Sequence, residues 1–205
     1  MNLIIIFSLL ILLFSIIIHE IAHGSVAYSL GDSTAKDLGR LSLNPIKHLD
    51  PVGSILLPIL LAFSGLPIIG WAKPVPINPS NFTDQKWGDL KVSIAGSLAN
   101  FSLALIFGLI MMFVSLSENS LIIFSLVVFY NIVLGLFNLI PIPPLDGSHI
   151  LFSFLGERFE KVKIFLYQYG FFLLLFLILF FPGGINWIFD LANQVVYFFS
   201  GYKLF

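Results

Sequence analysis

Cysteine is absent, which excludes disulfides and thiolate metal sites and leaves His, Asp and Glu as the available metal ligands. Charge is scarce too: 10% of the 205 residues are charged, against roughly a quarter in an ordinary soluble protein. The net charge is −1 and no basic run is long enough to track a phosphate backbone, so nucleic-acid chemistry is excluded. What fills the chain is apolar, with 58% hydrophobic residues and a mean hydropathy of +1.01. This length has room for about five or six spans of about 20 residues plus loops, and none for a separate soluble domain. The expected architecture is an all-α polytopic membrane protein, one membrane-embedded domain over 1–205 with its core at 1–151 and C-terminal helices at 152–205.

Between Met1 and Ile18 only Asn2, Ser8 and Ser15 are polar, and the apolar pattern continues through Ala22, Val26 and Ala27 to a stop at Gly31-Asp32. No lysine or arginine precedes this run and no small-residue cleavage site follows, so it reads as a retained helix rather than a signal peptide. Clean spans are expected at about 92–116, 120–140 and 164–181, the last closed by Pro182-Gly183-Gly184. The stretch 51–71 is apolar but broken by Pro58, Gly65 and Pro67. The tail 185–199 places Asn186, Asp190, Asn193 and Tyr197 along one helical face, as an interfacial helix or a sixth span with a polar seam.

Apart from Lys203, the basic residues gather in three groups: Lys36, Arg40 and Lys47; Lys73, Lys86 and Lys91; Arg158, Lys161 and Lys163. The turn near Glu118 has none. All three groups belong on the cytoplasmic side. That requires segment 51–71 to enter and leave on one side, as a re-entrant or broken element, because a full crossing would strand the middle group outside. The membrane tolerates such backbone only where protein or a wet cavity satisfies it.

His19-Glu20-Ile21-Ala22-His23 is an HExxH inside a membrane helix. Histidines at i and i+4 share a helical face, so both imidazoles can reach one zinc, while the adjacent glutamate can take a proton from a water activated there. Charged groups at membrane depth cost about 2.5–3.5 kcal/mol each on insertion scales and mark function by default. The competing reading, a polar patch that hydrogen-bonds helices together, explains the polarity but not the spacing. A catalytic zinc takes three protein ligands and keeps one position open, so a third ligand is owed. Asp146, His149, His48 and Asp50 are the candidates. Asp146 follows a span in the run Asn138 to Gly147, where Pro141, Pro143 and Pro144 strip backbone hydrogen bonds and open the helix end. A turn aspartate before Gly147 is the plainer alternative. Orientation offers a check, since His23 and Asp146 lie on one side of the bilayer only if 51–71 does not cross.

These residues resemble the site-2 proteases, the intramembrane zinc metalloproteases of peptidase family M50. The resemblance covers His19 to about Leu151 in three ordered blocks: the HExxH; Gly96-Ser97-Leu98-Ala99-Asn100; and Phe137-Asn138-Leu139-Ile140-Pro141 through Leu145-Asp146-Gly147. It implies one Zn2+ per chain held by His19, His23 and Asp146, with Glu20 as general base and Asn100 placing substrate near the metal. The runs Gly39 to Pro45 and Gly70 to Pro76 are similar to compact prokaryotic members that lack a PDZ domain. Ser97 stands where many members have proline, and Ser148-His149 replaces a common Gly-Arg.

The activity so implied is hydrolysis of peptide bonds in or near transmembrane segments, that is, regulated intramembrane proteolysis. Its partners would be transmembrane protein substrates and the lipid bilayer. The chain would be a multi-pass protein of the cell membrane with its active site near the cytoplasmic side. The alternative is a non-catalytic zinc-binding membrane protein. A transporter would string acidic and His residues across several spans, and a pseudoprotease would usually have lost Glu20. On spacing alone Asn100 reads as an interhelical hydrogen bond worth about 0.6 kcal/mol, and Gly96 as a close-approach position. His149 and Asn138 are candidate supporting residues around the metal, and His48 reads as an interfacial or hydrogen-bonded histidine. Trp71, Trp87 and Trp187 read as interface anchors.

Overall fold

Helix α1 (Leu3–Ser29) follows the first apolar run and ends in a glycine cap. Gly31 sits at φ 105°, its N–H bonds Tyr28 O, and Asp32 N–H reaches back to Ala27 O at 3.0 Å. A left-handed residue turns the chain out of a helix in this way, and glycine adopts that conformation without strain. The structure is a computed structural model that describes residues 3–56, 60, 63, 72–155, 159–181, 183–202 and 204.

Helix α2 (Thr34–Asp37) and three short turns, Pro45–His48, Pro51–Leu56 and Pro79–Asn81, lead toward the next long helix. Each turn opens at a proline preceded by Asn or Asp, whose side chain satisfies the first free N–H groups. Asn44 Oδ1 accepts from Ile46, Asp50 Oδ1 from Val52 and Gly53, and Asn78 Oδ1 from Ser80. There follow α3 (Gly88–Phe113), α4 (Glu118–Asn138), α5 (Asp146–Phe154), α6 (Glu160–Phe180) and α7 (Gly183–Ser200). No strand occurs among the described residues, so the all-α expectation holds.

By length and composition α1, α3, α4 and α6 can each cross a membrane. Twenty-one residues, the shortest of these, reach about 30 Å at about 1.5 Å per residue. The tail forms α7, whose Ala192 and Val196 are fully buried against Ala104 and Met111 of α3 and Val128 and Phe129 of α4. Phe199 lies over Gly108, where a Cβ would meet its ring at 2.5 Å. The tail is therefore packed lengthwise into the bundle, with Asp190 and Tyr197 facing outward. Helix α6 stands further off: only Gly170 and Leu174 are buried on it, and Gly170 admits Pro143.

Most of the stretch 51–71 lies outside the described residues. Its flanks meet, however: Lys73 N–H donates to His48 O at 2.9 Å, and Thr83 N–H donates to Leu30 O at 2.7 Å. The chain thus leaves and rejoins the same end of the bundle, where α1 ends and α3 begins, as the charge pattern requires.

Candidate active site

Local sequence brings three elements together. On α3, Ser93, Gly96, Ser97 and Asn100 are all buried and lie close to one helical face, which lets α1 approach closely. A Cβ on Gly96 would fall 2.5–2.6 Å from Cε1 and Nε2 of His19 and closer still to His23 Nε2. Ser97 Oγ donates to Gly135 O and ties α3 to α4. Past α4 the prolines shorten the chain into tight turns, and α5 begins directly against the end of α4. A Cβ on Gly147 would run into the Leu139 carbonyl. This places Asp146, the first residue of α5, opposite the two histidines.

The result is a triangle. His19 Nε2 and His23 Nε2 are 3.0 Å apart, and each is 3.1 Å from Asp146 Oδ2. The remaining ring nitrogens face acceptors: His19 Nδ1–H donates to Asn100 Oδ1 and His23 Nδ1–H to the Val92 carbonyl, both at 2.7 Å. An acceptor at Nδ1 fixes the proton there, so each neutral imidazole turns a lone pair on Nε2 inward. Asp146 Oδ2 is buried and receives no hydrogen bond. Three inward lone pairs at such distances repel unless a cation lies among them, and ligand atoms around a four-coordinate zinc stand about 3.3 Å apart. The donor set therefore fits Zn2+. Among the described residues it is the one group of three or more His, Asp or Glu whose ligand atoms converge.

Glu20 is held separately. Its Oε2 accepts from the Val75 N–H at 2.6 Å. Val75 is buried beside α1, where a Cβ on Gly24 would meet its Cγ1 at 2.9 Å. The buried Arg40 guanidinium clamps the same segment, with Nη2 donating to Lys73 O at 2.7 Å and Pro74 O at 3.2 Å.

The other sequence candidates lie elsewhere. Asn100 is fully buried behind His19, with its oxygen on that imidazole and its nitrogen on Asn131, and it offers no accessible edge to a substrate. His149 is paired with Asp89 at 3.3 Å rather than with Asp146, and the Asp89 carboxylate raises the pKa of its imidazole. Asn138 Nδ2 bonds back to Leu134 O within its own helix. His48 is buried and donates from Nε2 to Ser42 O, and Asp50 caps its turn. Residues that sequence reasoning missed are Asn131 and Ser15, which bond Asn100, Val75, whose N–H holds Glu20, and Arg40, which holds the Lys73 and Pro74 carbonyls beside it. A second carboxamide inside an apolar span was the available signal for Asn131. A backbone N–H such as that of Val75 leaves none.

Comparison with known proteins gives the family. The model of Peptidase family M50 matches residues 115–177, which include Asp146. The chain is 42% identical over 178 residues to the candidate zinc metalloprotease YwhC of Bacillus subtilis, covering 82% of this chain and 77% of that protein. It is 30% identical over 190 residues to the candidate zinc metalloprotease Rip2 of Mycolicibacterium smegmatis, covering 88% and 69%. With zinc metalloprotease MJ0392 of Methanocaldococcus jannaschii it shares 28% identity over 156 residues, covering 76% of this chain and 36% of that protein. No solved structure matches. This chain belongs to peptidase family M50, the metalloprotease family that its sequence resembles.

Proposed function

We propose that the chain is a zinc-dependent intramembrane endopeptidase that cuts peptide bonds in or near transmembrane segments of membrane proteins. One Zn2+ would be held by His19, His23 and Asp146. The observation that carries this reading is the buried triangle of inward-facing ligand atoms with Glu20 next in sequence to His19. Zinc in such a site brings the pKa of a water toward about 7 and polarises a carbonyl oxygen.

The chain's own residues supply the rest. Glu20 acts as general base, taking a proton from the attacking water and returning it to the leaving amine. The Val75 N–H holds one carboxylate oxygen and so fixes the direction of the other. Asn100 and the Val92 carbonyl hold the imidazoles by their Nδ1–H groups. A helical substrate hides its amides in intrahelical bonds and must unwind before it is cut. The basic loops gather at this end of the bundle, which supports a cytoplasmic-side active site in the cell membrane.

Glu20→Gln tests the reading. With a purified single-span substrate, hydrolysis should fall about 10²- to 10⁴-fold while zinc content stays at the wild-type level. A variant that cleaves like wild type would show that Glu20 is not the base.

A further inference from the structure

The inward lone pair on His19 depends on which of its nitrogens carries the proton, and buried hydrogen bonds behind the histidine decide that. We propose that Asn131, together with Ser15, is a positioning pair that sets the polarity of the Asn100 carboxamide and so holds His19 in the tautomer that can bind a metal. This rests on the zinc-site reading above and adds to it residues that do not themselves ligate.

The chain of polarity starts at a group that cannot be reversed. Asn131 Nδ2 donates to the Val127 carbonyl at 2.9 Å and to Ser15 Oγ at 2.9 Å. A backbone carbonyl only accepts, so the NH2 end of Asn131 must face it. Asn131 Oδ1 is thereby turned to Asn100, whose Nδ2 donates to it at 2.8 Å and lies 3.4 Å from Ser15 O. With its nitrogen committed, Asn100 presents Oδ1 to His19 Nδ1 at 2.7 Å. An oxygen at that distance requires a proton on Nδ1, so in the neutral imidazole Nε2 is the bare nitrogen toward His23 and Asp146.

Reversing either carboxamide would set an NH2 against an N–H or a carbonyl against a carbonyl. Asn100 and Asn131 are 0% exposed and Ser15 is 4% exposed, so such a mismatch would be buried and costly. Ser15 also lies one turn before His19 on α1. The network therefore fastens α1, α3 and α4 together at the histidine whose tautomer it sets.

The test reads the tautomer directly. Nitrogen-15 NMR of histidine-labelled, metal-free protein at alkaline pH, where imidazoles are neutral, should show His19, one of only four histidines, protonated at Nδ1 and bare at Nε2. In Asn131→Leu the Asn100 amide keeps only its long 3.4 Å contact to Ser15 O, too weak to fix its orientation, so His19 should become a tautomer mixture. Zinc affinity measured by chelator competition should weaken about 10- to 100-fold. Asn131→Asp is the second variant. Its carboxyl, neutral when buried, keeps an acceptor toward Asn100 and an O–H toward Val127 O. Its tautomer and zinc affinity should stay within about threefold of wild type.

A leucine variant with the wild-type tautomer and unchanged zinc affinity would overturn the proposal. So would a folded aspartate variant with a scrambled His19. The tautomer is read without metal or substrate, so a wild-type protein that bound no zinc would refute the protease reading and leave this readout intact.

Discussion

At the residue scale, the most constrained position around the candidate metal site carries no side chain. Gly96 lets α3 pass directly against both imidazoles, and a methyl group there would overlap His23 Nε2. Gly96→Ala should therefore push an imidazole out of the triangle. We expect zinc affinity to fall tenfold or more, read by metal analysis after dialysis against a weak chelator, with helix content by circular dichroism retained. Retention of wild-type zinc would mean that the helices can part without disturbing the site. The sequence marks Gly96 as a close-approach position but cannot name what approaches. His19, Glu20 and His23 are legible because one helical turn writes their geometry locally. Asp146 needed the charge pattern as well, since its place depends on how 51–71 returns. Asn100 stands out as a carboxamide in an apolar span, yet its bond to Asn131, 31 residues further along, is one that no local pattern encodes.

At the element scale, the connection between α1 and α3 is pinned by one carboxylate. Asp32 is fully buried and accepts from the Thr34 N–H, the Asn78 N–H and Asn81 Nδ2, and from the Thr34 hydroxyl. Burial alone would raise its pKa, but the hydrogen bonds together outweigh burial and hold it below the ordinary carboxylate value. A depressed folded-state pKa means that the unfolded chain binds the proton first. The stability Asp32 contributes is therefore fully present above its unfolded pKa of about 3.9 and is lost as pH falls through the lower folded value. Asp32→Asn should lower the melting temperature in detergent at pH 7, and the gap from wild type should close below about pH 4. A gap independent of pH would contradict this. The glycine stop at Gly31 and the Asx-Pro turns were readable in the sequence because each is a short-range device. The lengthwise packing of α7 was not, because its polar face suits an interface equally well and only Ala192 and Val196 against α3 and α4 decide the matter.

At the scale of the whole molecule, the fold class followed from composition, and the common end of α1 and α3 from the distribution of lysine and arginine. The proposed activity requires, at this scale, that a substrate helix give up its own hydrogen bonds near Glu20. Placing Pro or Gly near the cut of a single-span substrate should speed cleavage, and replacing such residues with Leu or Ala should slow it. A substrate series insensitive to these changes would mean that unwinding does not limit the reaction. The central claim is that α1 and α5, far apart in sequence, complete one metal site. Zinc per protein in purified wild type and in Asp146→Ala tests it most directly and needs no substrate. About one zinc per wild-type chain is expected, with a sharp loss in the variant; zinc held at the wild-type level in Asp146→Ala would mean that Asp146 is not a ligand.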